Sequence, residues 1–126
     1  MNFKDTRPIY QQIAERIHDE IMLEYYQEDE RIPSVREYAA IVEVNVNTIV
    51  KAYDYLSSIG LIYNRRGMGY YVSIGAREQI AAIRREEFMK NTLPTLFNEM
   101  KVLNISMEEI IKKWAETSKT NDGSTQ

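Results

Sequence analysis

The chain has 126 residues, of which 44% are hydrophobic and 28% charged, and its formal net charge is −3. This composition is typical of one globular domain, or of a small domain with a helical extension. No apolar run approaches the roughly 20 residues of a membrane span, and the N-terminus lacks the apolar core of a signal peptide. Because cysteine is absent, disulfides and thiolate nucleophiles are excluded. We therefore expect a cytoplasmic protein with no membrane partner.

Charge is distributed unevenly along the chain. Residues 1–30 hold three Lys/Arg and eight Asp/Glu, residues 31–74 hold five and three, and residues 75–126 hold eight and eight. Because salt confines electrostatic fields to roughly 10 Å, local charge matters more for a partner than net charge. The middle segment is the one that favours a polyanionic partner.

The first helix is predicted by isoleucines that recur every four residues from Ile9 to Ile21. The pattern indicates a helix from residue 8 to about 26, with Thr6 as its cap and Pro8 in its first turn. The acidic residues 28–30 then form a short loop.

Two further helices follow, separated by about three residues. Ser34 and Glu37 have capping-box spacing and predict a helix over residues 34–42. Asn45 is the expected N-cap of the next helix, and Gly60 marks its end. Because helices joined so tightly cross at a large angle, the pattern predicts a helix-turn-helix.

A β-hairpin is predicted after the third helix. Residues 61–63 and 70–74 read as strands, and Gly67 and Gly69 permit the positive φ of a tight turn. Ile32 is expected to add a short third strand. A helix-turn-helix followed by a hairpin is a winged-helix module, which would fill residues 1–75.

The remainder of the chain is predicted to be helical up to residue 117. Pro94 either kinks one long helix or follows Thr92 as the start of a new one, and the continuous, kinked helix is favoured. Ser106 and Glu109 repeat the capping-box spacing before a last helix. The polar tail, residues 118–126, is expected to be disordered.

The C-terminal helices present a burial problem. They are rich in Ile, Leu, Phe, Met and Trp, yet about 45 residues cannot bury a core without support. Packing against a second copy solves this, so residues 76–117 are predicted to form a homodimer with C2 symmetry. The fold class is therefore mainly α with a small β-hairpin, an N-terminal winged helix-turn-helix followed by a short α-helical dimerisation region.

This arrangement indicates binding to double-stranded DNA. The second helix of a helix-turn-helix enters the major groove with its N-terminal residues at the base edges, and arginines on a wing tip enter the minor groove or clamp phosphates. Asparagine pairs with adenine, valine meets a thymine methyl, and lysine takes phosphate or guanine. The predicted DNA-binding residues are Arg36, Asn45, Val46, Asn47, Thr48, Val50, Lys51, Arg65, Arg66 and Gly67.

Structural alternatives to these roles stay open. Asn45 caps a helix whatever the function, and Asn47 with Thr48 can be ordinary residues of a first turn. Lys51 alone can be a solvated lysine, and Arg36 can pair with an acidic neighbour. The two wing arginines can also be gatekeepers against edge aggregation.

Catalytic and metal chemistry have little support in the sequence. His18 is the single histidine, and no cluster of metal ligands or catalytic constellation is present. The Gly-x-Gly of the hairpin is not a phosphate loop, because no Gly-Lys-Ser/Thr follows it. We therefore expect neither an enzyme nor a cofactor.

Residues 8–73 resemble the DNA-binding domain of the GntR family of bacterial transcription regulators. The segments that carry the resemblance are "PIYQQIAERIHDEI" and "RIPSVREYAAIVEVNVNTIVKAYDYLSSIGLIYNRRGMGYYV". The short helical C-terminus is similar to the YtrA subfamily, whose members carry a compact two-helix dimerisation domain. Glu43 stands where the family usually has glycine in the turn, and the loop "YYQEDE" also lacks the usual glycines.

The resemblance implies a bacterial homodimer that binds an inverted repeat, usually as a repressor. By position, it implies DNA contacts at Arg36, Asn45, Val46, Asn47, Val50, Arg66 and Gly67. The acidic first helix keeps an alternative open, a winged-helix module that binds protein and not DNA. A small-molecule effector also stays open, with a pocket at the dimer interface near Phe88, Phe97 or Trp114 as its candidate site.

Overall fold

The computed structural model describes the backbone of residues 6–124 and the side chains of residues 6–118. The chain divides into two compact units, with the boundary along the sequence between Ile83 and Arg84. No helix in the described residues is long and apolar enough to cross a membrane. The elements are α1 (Ile9–Met22), α2 (Val35–Val42), α3 (Val46–Ser58), β1 (Ile62–Arg65), β2 (Gly69–Val72), α4 (Ala76–Glu87), a π-helical turn (Phe88–Thr92), α5 (Leu93–Leu103) and α6 (Met107–Ser124).

Helix α1 buries the predicted isoleucine stripe but is shorter than predicted. It ends at Met22, not near residue 26, because Glu24 adopts a left-handed φ of 64° that cannot continue a helix. The residue before its first turn is Pro8, and no side chain caps the helix, so the predicted cap by Thr6 is wrong. The Pro8 carbonyl instead accepts the N–H of Gln11 at 3.1 Å.

The helix-turn-helix is confirmed in its caps and its order. Ser34 Oγ accepts the Glu37 N–H at 3.1 Å, and the Glu37 carboxylate accepts the Ser34 N–H at 2.9 Å. Helix α2 ends at Glu43, which has a φ of 56° in the region that favours glycine. Asn45 caps α3, and Gly60 follows that helix with a φ of 78°.

The core of the first unit lies between α1, α2, α3 and the hairpin. Two tyrosines, Tyr38 on α2 and Tyr53 on α3, are fully buried within it. It extends into α4, because Ala76 and Ile80 are buried, so this unit continues beyond residue 75. The buried cluster comprises Ile13, Ala14, Ile17, Ile21, Ile32, Tyr38, Ala39, Ile49, Ala52, Tyr53, Leu56, Leu61, Ile62, Val72, Ala76 and Ile80.

The hairpin pairs β1 with β2 antiparallel, from Ile62 opposite Val72 to Arg65 opposite Gly69. Both strands therefore lie nearer the turn than the predicted strands 61–63 and 70–74. The predicted third strand is reduced to one bridge between Arg31 and Tyr71, in which the Ile32 N–H donates to the Tyr70 carbonyl at 2.9 Å.

In the second unit, the helix does not stop at Pro94. Thr92 keeps right-handed helical angles and makes no cap hydrogen bond, so the continuous alternative is the correct one. The irregularity is a π-helical turn, Phe88–Thr92, just before the proline. Because proline has no N–H to donate, a local change in helical hydrogen bonding is expected there. The Thr95 hydroxyl donates to the Asn91 carbonyl at 2.8 Å.

Helix α6 begins after Ser106, whose Oγ accepts the Glu109 N–H at 3.2 Å, as its capping spacing predicts. It continues to Ser124, so the backbone of residues 118–124 is helical where the sequence predicts disorder. Once a helix has started, each further residue adds a backbone hydrogen bond, and no proline interrupts this segment. The last two residues of the predicted tail lie outside the described part of the chain.

Candidate nucleic-acid interface

The N-terminal half of α3 presents an exposed face. Val46 and Val50 are 37% and 39% exposed, although both are apolar. Asn47 and Lys51 lie one helical turn apart beside them and are also exposed. Thr48 is half-buried. This face combines amide, ammonium and aliphatic groups, which are the groups that read base edges in a major groove.

Asn45 is a helix cap in the structure. Its Oδ1 accepts the Asn47 N–H at 2.7 Å, which satisfies one of the free donors of the first turn. The structural alternative for this residue is therefore realised. Its Nδ2 group donates to no acceptor among the described residues, so both of its N–H donors are still available to a base.

Lys51 is held next to α1. Its ammonium lies 4.9 Å from the centre of the Tyr10 ring, which in turn contacts Tyr55 edge-on at 6.3 Å. Such a cation–π contact restricts a flexible lysine without removing its charge. The start of α1 and the start of α3 thus share a surface hollow of about 290 Å³, lined by Pro8, Ile9, Tyr10, Asn47, Thr48 and Lys51.

Arg36, in the first turn of α2, is exposed and pairs with no acidic group of the described chain. Its acidic neighbour Glu37 is engaged elsewhere, in the capping box and with Arg31 at 3.5 Å. Backbone donation from Ser34 holds the pKa of the Glu37 carboxyl below its usual value. The guanidinium of Arg36 is therefore available to an external anion.

The two wing arginines have different surroundings. Arg66 is exposed at the turn and has no ion-pair partner among the described residues. Arg65 donates to the Asp29 carboxylate at 2.9 Å and to the Tyr63 hydroxyl at 2.9 Å. It also lies 4.2 Å from the centre of the Tyr71 ring. One arginine faces outward, whereas the other is paired within the protein.

The turn from Arg65 to Met68 depends on glycine. The Met68 N–H donates to the Arg65 carbonyl at 2.8 Å, and Gly67 has a φ of 76°. A positive φ at the third position is that of a type II turn, which explains glycine there. A Cβ on Gly67 would meet no atom within 4 Å, so its surface is open to approach.

Arg31 was not among the residues predicted from the sequence. Its Nε donates to the Met68 carbonyl at 3.0 Å and its second amino group reaches Glu37, so it joins the wing to the first turn of α2. A Cβ on Gly69 would lie 3.0 Å from this Nε, and Gly69 also has a φ of 107°. The bridge spans 37 residues, so no local sequence pattern reveals it.

The acidic loop before α2 is used internally. The Glu28 carboxylate accepts the N–H groups of Gly75 and Arg77 at the start of α4, and these hold the pKa of Glu28 below its usual value. Glu30 accepts the Gln27 N–H at 3.2 Å. With Asp29 on Arg65, each of the three acids has an internal partner, and the loop anchors the wing and α4.

Metal ligands are not grouped in the described residues: no three His, Cys, Asp or Glu side chains lie close enough to hold an ion. The solvent-open hollow in the second unit, about 440 Å³, is lined by Phe97, Met100, Lys101, Asn104 and Ile105. The residues that line this hollow do not have the arrangement of an active site.

Comparison with known proteins identifies the family. The chain is 46% identical to a GntR-family transcriptional regulator from Bacteroides thetaiotaomicron, with a TM-score of 0.77 over 89% of this chain and 98% of that one. It is 29% identical to the transcriptional repressor YtrA of Bacillus subtilis over 85% of this chain and 82% of the relative. It is 32% identical to the DNA-binding domain of AraR in complex with operator ORE1, with a TM-score of 0.52 over 58% of this chain and 89% of that one.

These relatives are transcription regulators and not enzymes, which agrees with the resemblance seen in the sequence. Residues 9–72 match the model of bacterial regulatory proteins of the gntR family. With its capped helix-turn-helix, its two-stranded wing and this match over half its length, the chain belongs to the gntR family of bacterial regulatory proteins.

Proposed function

We propose that this protein is a sequence-specific, DNA-binding transcription regulator that acts as a repressor on an inverted-repeat operator in the bacterial cytoplasm. The observation that carries the proposal is the exposed face at the start of α3, together with a wing arginine, Arg66, that has no ion-pair partner among the described residues. An amide, an ammonium and two aliphatic side chains point outward there at positions that reach base edges in helix-turn-helix proteins. The AraR domain of the same fold is bound to an operator.

We assign different roles to the residues predicted from the sequence. Asn47, Val46 and Val50 read base edges, and the Nδ2 of Asn45 assists at the helix start. We assign phosphate contacts, or contacts to base edges next to those phosphates, to Arg36, Thr48 and Lys51. Arg66 and Gly67 form the part of the wing that approaches the minor groove, while Arg65 supports it from within the protein.

A homodimer formed by the second unit is part of the proposal. In the described part of residues 84–118, Met100 is the only buried side chain. Apolar surface of this extent on so short a helical segment marks an interface. A second copy is the partner we favour, since a two-fold dimer presents two recognition helices to an inverted repeat. The large apolar side chains exposed in this segment are Phe88, Met89, Leu96, Phe97, Val102, Leu103, Met107, Ile111 and Trp114.

The dimer is tested by light scattering on a size-exclusion column. We expect the wild-type chain to elute as a dimer and Trp114→Glu to elute as a monomer, because the substitution places a charge on exposed apolar surface. Lys112→Gln, on the same helix, also changes the net charge by −1 and should remain dimeric. A wild-type monomer at micromolar concentration would contradict the assignment.

DNA binding is tested by fluorescence anisotropy with a labelled duplex from upstream of the protein's own gene, and with a genomic fragment library. We expect saturable binding with a preference over scrambled DNA and a steep decrease with salt. Arg66→Ala should weaken it by about 1–3 kcal/mol if the side chain reads bases, and Asn47→Ala should relax its sequence preference.

The control for these variants is Arg85→Ala, which removes one positive charge from the second unit and should leave binding unchanged. Wild-type affinity in both Arg66→Ala and Asn47→Ala would contradict the assigned interface. Absence of binding to every fragment, with a protein partner recovered instead, would favour the protein-interaction alternative. That alternative was motivated by the acidic first helix. In the acidic loop that follows this helix, Asp29 is paired with the wing and Glu28 with the start of α4.

A small-molecule effector has a candidate site in the hollow lined by Phe97, Met100 and Lys101. Its volume of about 440 Å³ is in the range of small-molecule sites, but it is open to solvent. Because it adjoins exposed apolar residues of α5, we place the effector, where one acts, at the surface that a second copy would cover.

A further inference from the structure

Arg65 lies on the outer face of the wing and packs against other side chains of that face. Side chains alternate along a strand, so Tyr63 and Arg65 share one face of β1, and Ile62 faces the core. Tyr71, paired with Tyr63 across the hairpin, stacks on it with ring centres 5.8 Å apart. The Arg65 guanidinium lies over this pair, 4.2 Å from the Tyr71 ring.

Asp29 closes this arrangement from a different part of the chain. Its carboxylate accepts hydrogen bonds from Arg65 at 2.9 Å and from the Tyr63 hydroxyl, which raises the pKa of Tyr63. The position of Asp29 is itself fixed, because its N–H donates to the Val72 carbonyl at 2.7 Å. Its φ of 66° places it in a conformation that aspartate tolerates better than most residues do.

The surroundings of Arg65 compete with a phosphate for the same guanidinium. A charge-assisted hydrogen bond to a carboxylate is about twice as strong as a neutral one, and the two aromatic rings add a cation–π attraction. The bonds to Asp29 and to the Tyr63 hydroxyl both come from one amino nitrogen of Arg65, so a phosphate that binds this nitrogen must displace one of them. Arg66, one residue further on, has no such competitor among the described residues.

We propose that Asp29 is a positioning residue that holds Arg65 on the outer face of the hairpin and withholds it from DNA phosphates, so that Arg66 is the wing arginine that binds DNA. This inference rests on the proposed DNA binding. It assigns Arg65 a role different from the phosphate or base contact expected from the sequence, and it gives the acidic loop an influence on DNA affinity.

The test measures the salt dependence of binding to a labelled duplex of random sequence, with the full chain. Each phosphate contact contributes about 0.9 to the slope of log K against log salt concentration. Arg66→Ala should reduce the slope by about 0.9, and Arg65→Ala should leave it unchanged. Asp29→Asn keeps a residue type that suits the positive φ, and it should free Arg65 and increase the slope by about 0.9. Between 50 and 200 mM salt, the affinity of this variant should therefore fall by a factor about 3.5 times larger than that of the wild-type chain.

Two controls separate this effect from a general loss of negative charge. Glu30→Gln neutralises the next carboxylate in the loop, which pairs with no cation of the described chain, and should leave the slope unchanged. In the double variant Asp29→Asn with Arg65→Ala, the slope should return to the wild-type value. Circular dichroism melting curves establish that each variant is folded, and Asp29→Gly provides a second variant that removes the carboxylate entirely.

The outcomes distinguish this inference from the proposed function. If the wild-type chain binds no duplex at low salt, the proposed function fails and the inference with it. If the wild-type chain binds but Arg65→Ala lowers the slope as much as Arg66→Ala does, only the inference is refuted. An increased slope that persists in the double variant would also refute it, since the charge of Asp29 alone would then explain the effect.

Discussion

Helix α3 carries one buried phenol that contacts two other elements of the first unit. Tyr53 on α3 is fully buried, and its hydroxyl donates to the Pro33 carbonyl at 2.6 Å, ahead of α2. Its ring contacts Tyr38 on α2 at 6.1 Å and Tyr70 on β2 at 5.1 Å. One side chain thus contacts both the other helix of the helix-turn-helix and the wing.

Tyr53→Phe removes the hydroxyl and keeps the ring contacts, so it isolates the hydrogen bond. A net hydrogen bond contributes about 0.5–1.5 kcal/mol, and an acceptor left without a donor adds to the loss. Since the Pro33 carbonyl is partly buried, we expect a decrease of about 1–2 kcal/mol in the free energy of unfolding. In a unit of this size, each kcal/mol lowers Tm by roughly 4–8 °C.

The assay is urea unfolding followed by circular dichroism, with Tyr55→Phe as the matched control. Tyr55 lies on the same helix but is 40% exposed, and its hydroxyl has no hydrogen-bond partner among the described residues. Its substitution should change stability by less than about 0.5 kcal/mol. Equal stability of Tyr53→Phe and the wild-type chain would refute the role assigned to this hydrogen bond. DNA affinity well below Tm should be retained, because the rings still orient α3.

Three further outcomes are expected. Gly69→Ala should weaken DNA binding and stability together, because its Cβ would meet Arg31 Nε at 3.0 Å and its φ is 107°, whereas unchanged melting and affinity would contradict the bridge. Burial and the Glu20 carboxylate raise the pKa of Tyr26 to about 12, so stability should fall as pH increases from about 10 to 12. In urea titrations across pH, Tyr26→Phe should reduce that decrease but not abolish it, because burial also raises the pKa of Tyr38 and of Tyr53. Ser34→Ala should cost about 1 kcal/mol in unfolding experiments, and Ser34→Asp, which restores a cap acceptor, should recover most of it.

Local order in the first unit was predictable from the sequence because it depends on residues close together in the chain. The Ser34–Glu37 capping box, the four-residue isoleucine period and the Gly-x-Gly turn all act within one helical turn or one hairpin. They predict the helix-turn-helix and the wing, and the gntR match over residues 9–72 agrees with them. The same locality places the candidate DNA-binding side chains at the start of α3 and at the turn.

Element ends were less predictable, since they depend on backbone angles that residue type does not dictate. Helix α1 ends early because Glu24 adopts a positive φ, a conformation in which glycine is the usual residue. Glu43, at the end of α2, and Asp29, in the loop before α2, also have a positive φ. The family resemblance implied glycines at Glu43 and in the loop that contains Asp29, and this chain has none there. At Asp29, hydrogen bonds to Val72 and Arg65 hold a residue in a conformation that sequence propensity disfavours.

The pairing of charges was decided by the tertiary structure alone. Arg65 and Arg66 are adjacent and identical in type, yet one is held by Asp29, 36 residues away, and the other has no such partner among the described residues. Arg31 reaches the wing across 37 residues in the same way. Strand alternation determines which arginine faces the tyrosines, and only the folded hairpin brings the acidic loop alongside. The sequence by itself determined the winged helix and predicted where a DNA-binding surface would lie, and the tertiary structure decided which charges at that predicted surface are paired within the protein.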